Sequence, residues 1–217
     1  MKNTRTEENY LKALFHLCGH SNTVMVKELS DYMDVKMPSV NNMMKKFAEK
    51  KWVVYESYKP LIITPKGLKE AALIVRKHRL TEMFLVEKMD IGWENVHEIA
   101  EQLEHIHSPL FFDKMDEILN FPKIDPHGEP IPDKNGEIIA QNLIKLSDCQ
   151  ANDKVIFKSV TSYDDTFLNY LNDRNLSLND TFIVSKIEDF DHSMVILLND
   201  QEIILSHNAC EKILVKK

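Results

Sequence analysis

The pattern of hydrophobic and polar positions changes period partway along the 217-residue chain. Up to about residue 120 it is helical: Tyr10, Leu11, Leu14, Phe15 and Leu17 recur at spacings near three and four, as one buried helix face requires. Residues 24–51, VMVKELSDYMDVKMPSVNNMMKKFAEKK, read as two short helices joined by a tight turn near Met33 to Met37. Pro38 suits the first turn of the second helix, where its missing N–H costs nothing. Next, WVVYESYKPLIITPKG forms two β-rich runs around a polar turn at Ser57 to Pro60. Between Phe121 and Gly136, FPKIDPHGEPIPDKNG holds four of the eight prolines and two of the five glycines. Neither helix nor strand interiors tolerate that density, so the segment reads as an inter-domain linker. Beyond about Leu143 the pattern turns to short β-rich runs, KVIFKSV, TFIVSKI, SMVILL, EIIL and KILV, separated by Asn/Asp turns. These predict a small all-β barrel.

Two helices about a tight turn, followed by a β-hairpin, have the spacing of a winged helix-turn-helix. The second helix carries Lys36, Pro38, Ser39, Asn41, Asn42, Lys45 and Lys46 mainly off its apolar face, and Lys59 falls at the wing tip. Asn can bond two atoms of an adenine edge, and Lys can pair with phosphate or guanine. A plain helical hairpin with solvated Asn and Lys is the alternative.

The formal net charge of −7 speaks against a nucleic-acid partner until its distribution is considered. Residues 1–70 carry 12 Lys+Arg against 8 Asp+Glu, a surplus of +4, while 71–145 and 146–217 stand at −6 and −5. A basic reading module followed by acidic modules has this asymmetry. No apolar run reaches the length of a membrane span and the start, MKNTRTEENY, lacks a signal peptide's apolar stretch, so the expected location is the cytoplasm. Cys18, Cys149 and Cys210 are far apart and form no C-x-x-C pair, which suggests neither disulfides nor a thiolate zinc site.

Candidate metal chemistry lies in two helical stretches. In RKHRLTEMFLVEK, His78 and Glu82 are four apart and share a face. In NVHEIAEQLEHIH, His97, Glu101, Glu104 and His105 fall within roughly 100° of one another, while Ile99, Leu103 and Ile106 point the other way. No Lys or Arg interrupts the stripe. Imidazole and carboxylate without thiolate suit Fe(II), Mn(II), Co(II) or Zn(II) better than Cu(I). A ferritin-like metal enzyme also uses E-x-x-H pairs, but Glu94-x-x-His97 and Glu104-x-x-His107 lie on one helix, about 280° apart, where such a site needs facing helices. No enzyme motif is found, and no small organic substrate is expected.

RKHRLTEMFL, VHEIAEQLEH and DPHGEPIP, in this order behind a winged helix, resemble the diphtheria-toxin-repressor family of iron- and manganese-dependent regulators. The opening TEENYLKAL fits as well, and the β-rich tail resembles the SH3-like (FeoA-like) domain of longer members. The resemblance implies a mainly α fold with β in three parts: a winged-helix DNA-binding domain at 1–70, a helical metal-binding and dimerisation domain at 71–140 with a linker at 121–140, and an SH3-like barrel at 141–217. It implies a homodimer on palindromic double-stranded operator DNA, no membrane, and two metal sites per subunit. His78, Glu82 and His97 match one site. Glu101, Glu104 and His105 match the activating site, to which the first helix adds Asn9. Iron-type members carry Met and Cys at the positions of Asn9 and Glu101, so this sulfur-free set favours Mn(II) while admitting Fe(II). Manganese-type members place a carboxylate where Lys12 stands. The tail can complete the first site, and Asp164 and Asp165 lie near the relevant loop. The implied function is metal-dependent repression of metal-homeostasis genes. A constitutive winged-helix regulator with a structural ion uses the same ligands and is the alternative, with a helical-bundle metal enzyme behind it.

Overall fold

A computed structural model describes residues 3–217, His20 by its backbone alone. The chain divides into two compact units. One comprises residues up to Thr81, Ala100–Phe121 and Ile131–Ile139; the other Glu82–Ile99, Pro122–Pro130 and Ala140–Lys217. No helix among the described residues is long and apolar enough to cross a membrane.

In the first unit, α1 (Arg5–Cys18) is started by a capping box. The Thr4 hydroxyl accepts from Glu7 N at 3.2 Å while the Glu7 carboxylate accepts from Thr4 N at 2.9 Å, which satisfies two donors a helix start leaves open. Strand β1 (Thr23–Val24) leads to α2 (Val26–Tyr32) and α3 (Met37–Glu49), joined by a turn in which Ser30 Oγ donates to Val35 O at 2.5 Å. Strands β2 (Val53–Val54) and β3 (Leu61–Ile63) form the wing. The antiparallel sheet has the order β1-β3-β2, so β1 is a third strand that the sequence pattern does not announce. Val40, Met44 and Phe47 of α3 are fully buried at helical spacing. They share a core with Tyr10, Leu11 and Leu14, and Tyr10 meets Phe47 edge-on at 6.4 Å. The winged helix is thus built around α1.

Helix α4 (Pro65–Met89) is one uninterrupted rod and, like α5 (His97–Leu103), contributes residues to both units. Helix α6 (Pro109–Ile118) is capped by Ser108, whose hydroxyl accepts from Phe111 N. Arg76 of α4 is paired with the buried Asp116 of α6 and donates to Pro132 O at 2.7 Å.

The Pro-rich segment is folded rather than loose. Asp125 Oδ1 accepts from His127 N and Glu129 N, and Asp133 Oδ1 accepts from Asn135 N and Glu137 N, all at 2.7–2.9 Å. DPHGE and DKNGE thus make the same side-chain-capped turn twice, each with its glycine at positive φ, 88° for Gly128 and 82° for Gly136.

The second unit carries a six-stranded antiparallel sheet in the order β4-β9-β5-β6-β7-β8. The strands are β4 (Ile144–Lys145), β5 (Lys154–Val160), β6 (Thr181–Ile187), β7 (Met194–Leu198), β8 (Gln201–Leu205) and β9 (Ile213–Lys216). Register shifts between Phe157 and Ser159 and between Val184 and Lys186 bend it as bulges do. Phe157, Val184, Ile196 and Val215 are fully enclosed, with Leu168 and Leu171 of α7 (Asp165–Asn172) and Cys210 of α8 (His207–Cys210). This is the SH3-like β domain, with two short helices that alternation along strands does not predict.

Candidate metal centre

Donors in the first unit converge from α1, α4 and the end of α5. Glu101 lies on α5, and Glu104 and His105 follow in the turn that ends it, with Glu104 N bonded to Ala100 O at 2.9 Å. Glu104 is wholly buried and His78 Nδ1 stands 2.6 Å from its Oε2, with Glu101 Oε1 3.9 Å from the same nitrogen. Burial alone would raise the Glu104 pKa, but the hydrogen bond from His78 and the charge of Lys12 bring it below the usual carboxylate value. His105 Nδ1 lies 2.6 Å from the carboxylate of the buried Glu8, which fixes the ring with its N–H towards Glu8. Its Nε2 is then a lone-pair donor, 3.6 Å from Glu104 Oε1, buried and without a hydrogen-bond partner. Asn9 Oδ1, on α1, is in the same condition. An imidazole nitrogen left orphaned beside Glu104, with an amide oxygen orphaned on the helix that brings Lys12 to Glu101 and Glu104, fits a divalent cation, since buried acceptors otherwise carry a desolvation cost. One cation is already there: Lys12 Nζ donates to both Glu104 oxygens at 2.9 Å and to Glu101.

The second unit holds another cluster. Glu82, Asp125 and His127 are all buried, and one ligand atom from each lies within 4.8 Å of the others. His127 Nε2 donates to Trp93 O at 2.9 Å, so its Nδ1 faces Glu82 Oε2, 3.6 Å away. Burial alone would lower the His127 pKa, yet the adjoining carboxylates of Glu82 and Asp125 outweigh it and raise the value. His97 Nδ1 is 3.1 Å from Glu82 Oε1, and its ring stacks on Tyr163 at 4.9 Å.

Among the expected residues, His78 lies beside Glu104 and Glu101, Glu82 groups with Asp125 and His127, and His97 Nδ1 lies 3.1 Å from Glu82 Oε1. Reading by helical spacing missed Asp125, His127 and the orienting Glu8. The DPHGEPIP motif contained the first two, but nothing local ties residue 125 to residue 82. Asp164 caps α7, its Oδ1 accepting from Phe167 N at 3.1 Å, and Asp165 is exposed; from this loop it is Tyr163 that reaches His97.

On the DNA-reading side, Lys36, Pro38, Ser39, Asn42, Lys45 and Lys46 are exposed along α3. Asn41 is half-buried, and its Oδ1 accepts from Tyr55 OH at 3.1 Å. Lys59 on the wing pairs with Glu56 at 2.5 Å, beside a fully exposed Tyr58 at φ 67°.

Residues 2–61 match the family model of the iron dependent repressor N-terminal DNA binding domain. Residues 64–133 match its metal binding and dimerisation domain, and 144–217 the FeoA domain. A solved manganese-dependent transcriptional repressor in complex with manganese is similar at 27% identity, with 96% of this chain and 98% of that one covered and a TM-score of 0.86. The structure of ScaR with bound Cd(II) is similar at 33% identity, covering 97% and 99%, with a TM-score of 0.78. The iron-dependent repressor IdeR of Mycobacterium tuberculosis is 30% identical over 127 residues, 58% of this chain. The chain thereby spans 55% of that relative's length. A winged helix, a metal-binding helical segment and an FeoA domain in one chain define a metal-linked DNA-binding protein. The chain belongs to the diphtheria-toxin-repressor family of iron- and manganese-dependent transcriptional repressors.

Proposed function

We propose that this chain is a transcriptional repressor activated by a divalent ion, Mn(II) or Fe(II), which binds palindromic operator DNA as a homodimer in the cytoplasm. The observation that carries the reading is the orphaned His105 Nε2 beside Glu104, with a second orphaned acceptor, Asn9 Oδ1, on the helix that brings Lys12 to Glu101 and Glu104. An all-N/O set suits Mn(II) and admits Fe(II). Asn9, Glu101, Glu104, His105 and His78 would hold one ion, and Glu82, His97, Asp125 and His127 a second. When bound, the ion at the first site supplies positive charge that neutralises the carboxylates and fastens α1 to the end of α5. Glu8 orients His105 for this role. Asn9 lies next to Tyr10, which packs on Phe47 of α3, so the position of α1 is coupled through the core to the helix that presents Ser39, Asn42, Lys45 and Lys46. Differential affinity of the ion for one arrangement of α1 shifts the population towards it. Residues 1–70, 71–140 and 141–217 are proposed as the DNA-binding, metal-binding and dimerisation, and FeoA-like domains, supported by the three matched ranges. Exposed Leu110, Phe111 and Ile118 on α6 supply apolar surface for pairing.

The test is retention of specific fragments from labelled genomic DNA while Mn(II), anaerobic Fe(II) or Zn(II) is titrated into the apo-protein, repeated with Glu104→Ala. Retention that needs metal and fails in the variant is expected. Equal retention with and without metal would instead mark a constitutive DNA binder.

A further inference from the structure

We infer that Lys12 is a resident cation of the first site: its ammonium occupies the carboxylates that a divalent ion uses, competes with that ion, and so sets the concentration at which the chain responds. This rests on the metal-site reading above.

The ammonium has three N–H donors, and three carboxylate oxygens receive them: Oε1 and Oε2 of Glu104, at 2.9 Å each, and Oε1 of Glu101. The Lys12 side chain is 12% exposed and that of Glu104 is 0%, so this is a partly desolvated ion pair and not a surface bridge. The adjoining Glu8 is itself engaged by Lys77 at 3.4 Å and by His105. Counting formal charges, the two carboxylates and the one ammonium that bridges them give −1. An arriving ion therefore meets carboxylates already half neutralised, and must push the ammonium off or share oxygens with a like charge. Either course costs binding free energy. The pair also spans α1 and the end of α5, so the metal-free chain keeps these elements fastened. On this account the ion exchanges one cross-link for another; it does not create one in an open gap.

The decisive substitution is Lys12→Gln, which keeps most of the length and a donor while removing the charge. Calorimetric Mn(II) titrations are run in an Asp125→Asn background, where the amide retains the oxygen that accepts from His127 and Glu129 and the second cluster is weakened. Lys12→Gln is expected to tighten Mn(II) binding by about tenfold or more and to lower the melting temperature of the metal-free protein. Lys12→Arg, which keeps the charge, should bind no more tightly than the parent. Unchanged or weaker Mn(II) binding by a Lys12→Gln chain of native circular dichroism would overturn the inference. A measurement on the unsubstituted protein stands beside it: amine labelling read by mass spectrometry should find Lys12 protected without metal and labelled several-fold faster at saturating Mn(II). Protection that persists at saturation also overturns it. If the parent takes up no Mn(II) that Glu104→Ala abolishes, the metal-site reading itself fails; if it does and Lys12→Gln is indifferent, only the role of Lys12 fails.

Discussion

Two of the metal-type donors owe their orientation to a neighbour that is not itself a proposed donor. His105 points its Nε2 inward because Glu8 holds Nδ1, and His127 presents Nδ1 because Trp93 O takes Nε2. Gly128 does the same for a whole turn: its φ is 88°, and a Cβ there would lie 2.0 Å from Lys158 O. Ser159 Oγ and Val160 N also bond His127 O, each at 3.1 Å, so the turn is seated against β5. Gly128→Ala must therefore open this seat as well as adopt a strained φ. The expected cost is on the order of 1–3 kcal/mol, read by urea denaturation, with loss of the weaker of two Mn(II) binding events in calorimetry. A variant with parental stability and both binding events would show that the turn does not position Asp125 and His127.

At the scale of elements, the recognition helix α3 divides its faces sharply, with Val40, Met44 and Phe47 inside and Ser39, Asn42, Lys45 and Lys46 outside. Lysines that meet phosphates contribute sequence-independent affinity and counterion release. Lys45→Ala and Lys46→Ala should each weaken operator and random DNA alike and lower the slope of log K against log salt by about one. Asn42→Ala should act on the operator alone. Fluorescence anisotropy from low to moderate salt separates the two behaviours, and a lysine variant with an unaltered slope would place that side chain away from the backbone. The hairpin wing and all five long tail strands follow from alternation and turn residues. Helices α7 and α8 do not, because both are short and their amphipathic periods are buried inside runs that also read as loop.

For the molecule as a whole, both units carry enclosed thiols, one in the first, Cys18, and two in the second, Cys149 and Cys210. Burial pushes the Cys210 thiol up to about 12, so native protein should not react with iodoacetamide at that position near neutral pH. Labelling then reports opening of the unit that holds it. Leu168→Ala, in the core of the second unit, should cost roughly 2–5 kcal/mol and speed alkylation of Cys210 while leaving Cys18 unchanged. Equal acceleration at both cysteines would mean that the units open together. Net charge divides differently, along the sequence, with a surplus of +4 over residues 1–70 and a deficit over the remainder.

Sequence by itself determined the longer elements, the winged helix, the β tail and the His/Glu stripe, because period, turn chemistry and charge distribution are local properties that tertiary packing had no reason to override. It also made the family legible, through motifs whose order and spacing survive without coordinates. Only the tertiary structure decided the partners. His78 stands with Glu104, twenty-six residues on, and Glu82 with Asp125 and His127 across a Pro-rich turn. Lys12 became a cation of the site only when α1 folded against the end of α5. Helical spacing shows which side chains share a face; what that face meets depends on chain closure over many residues, and no local pattern encodes it.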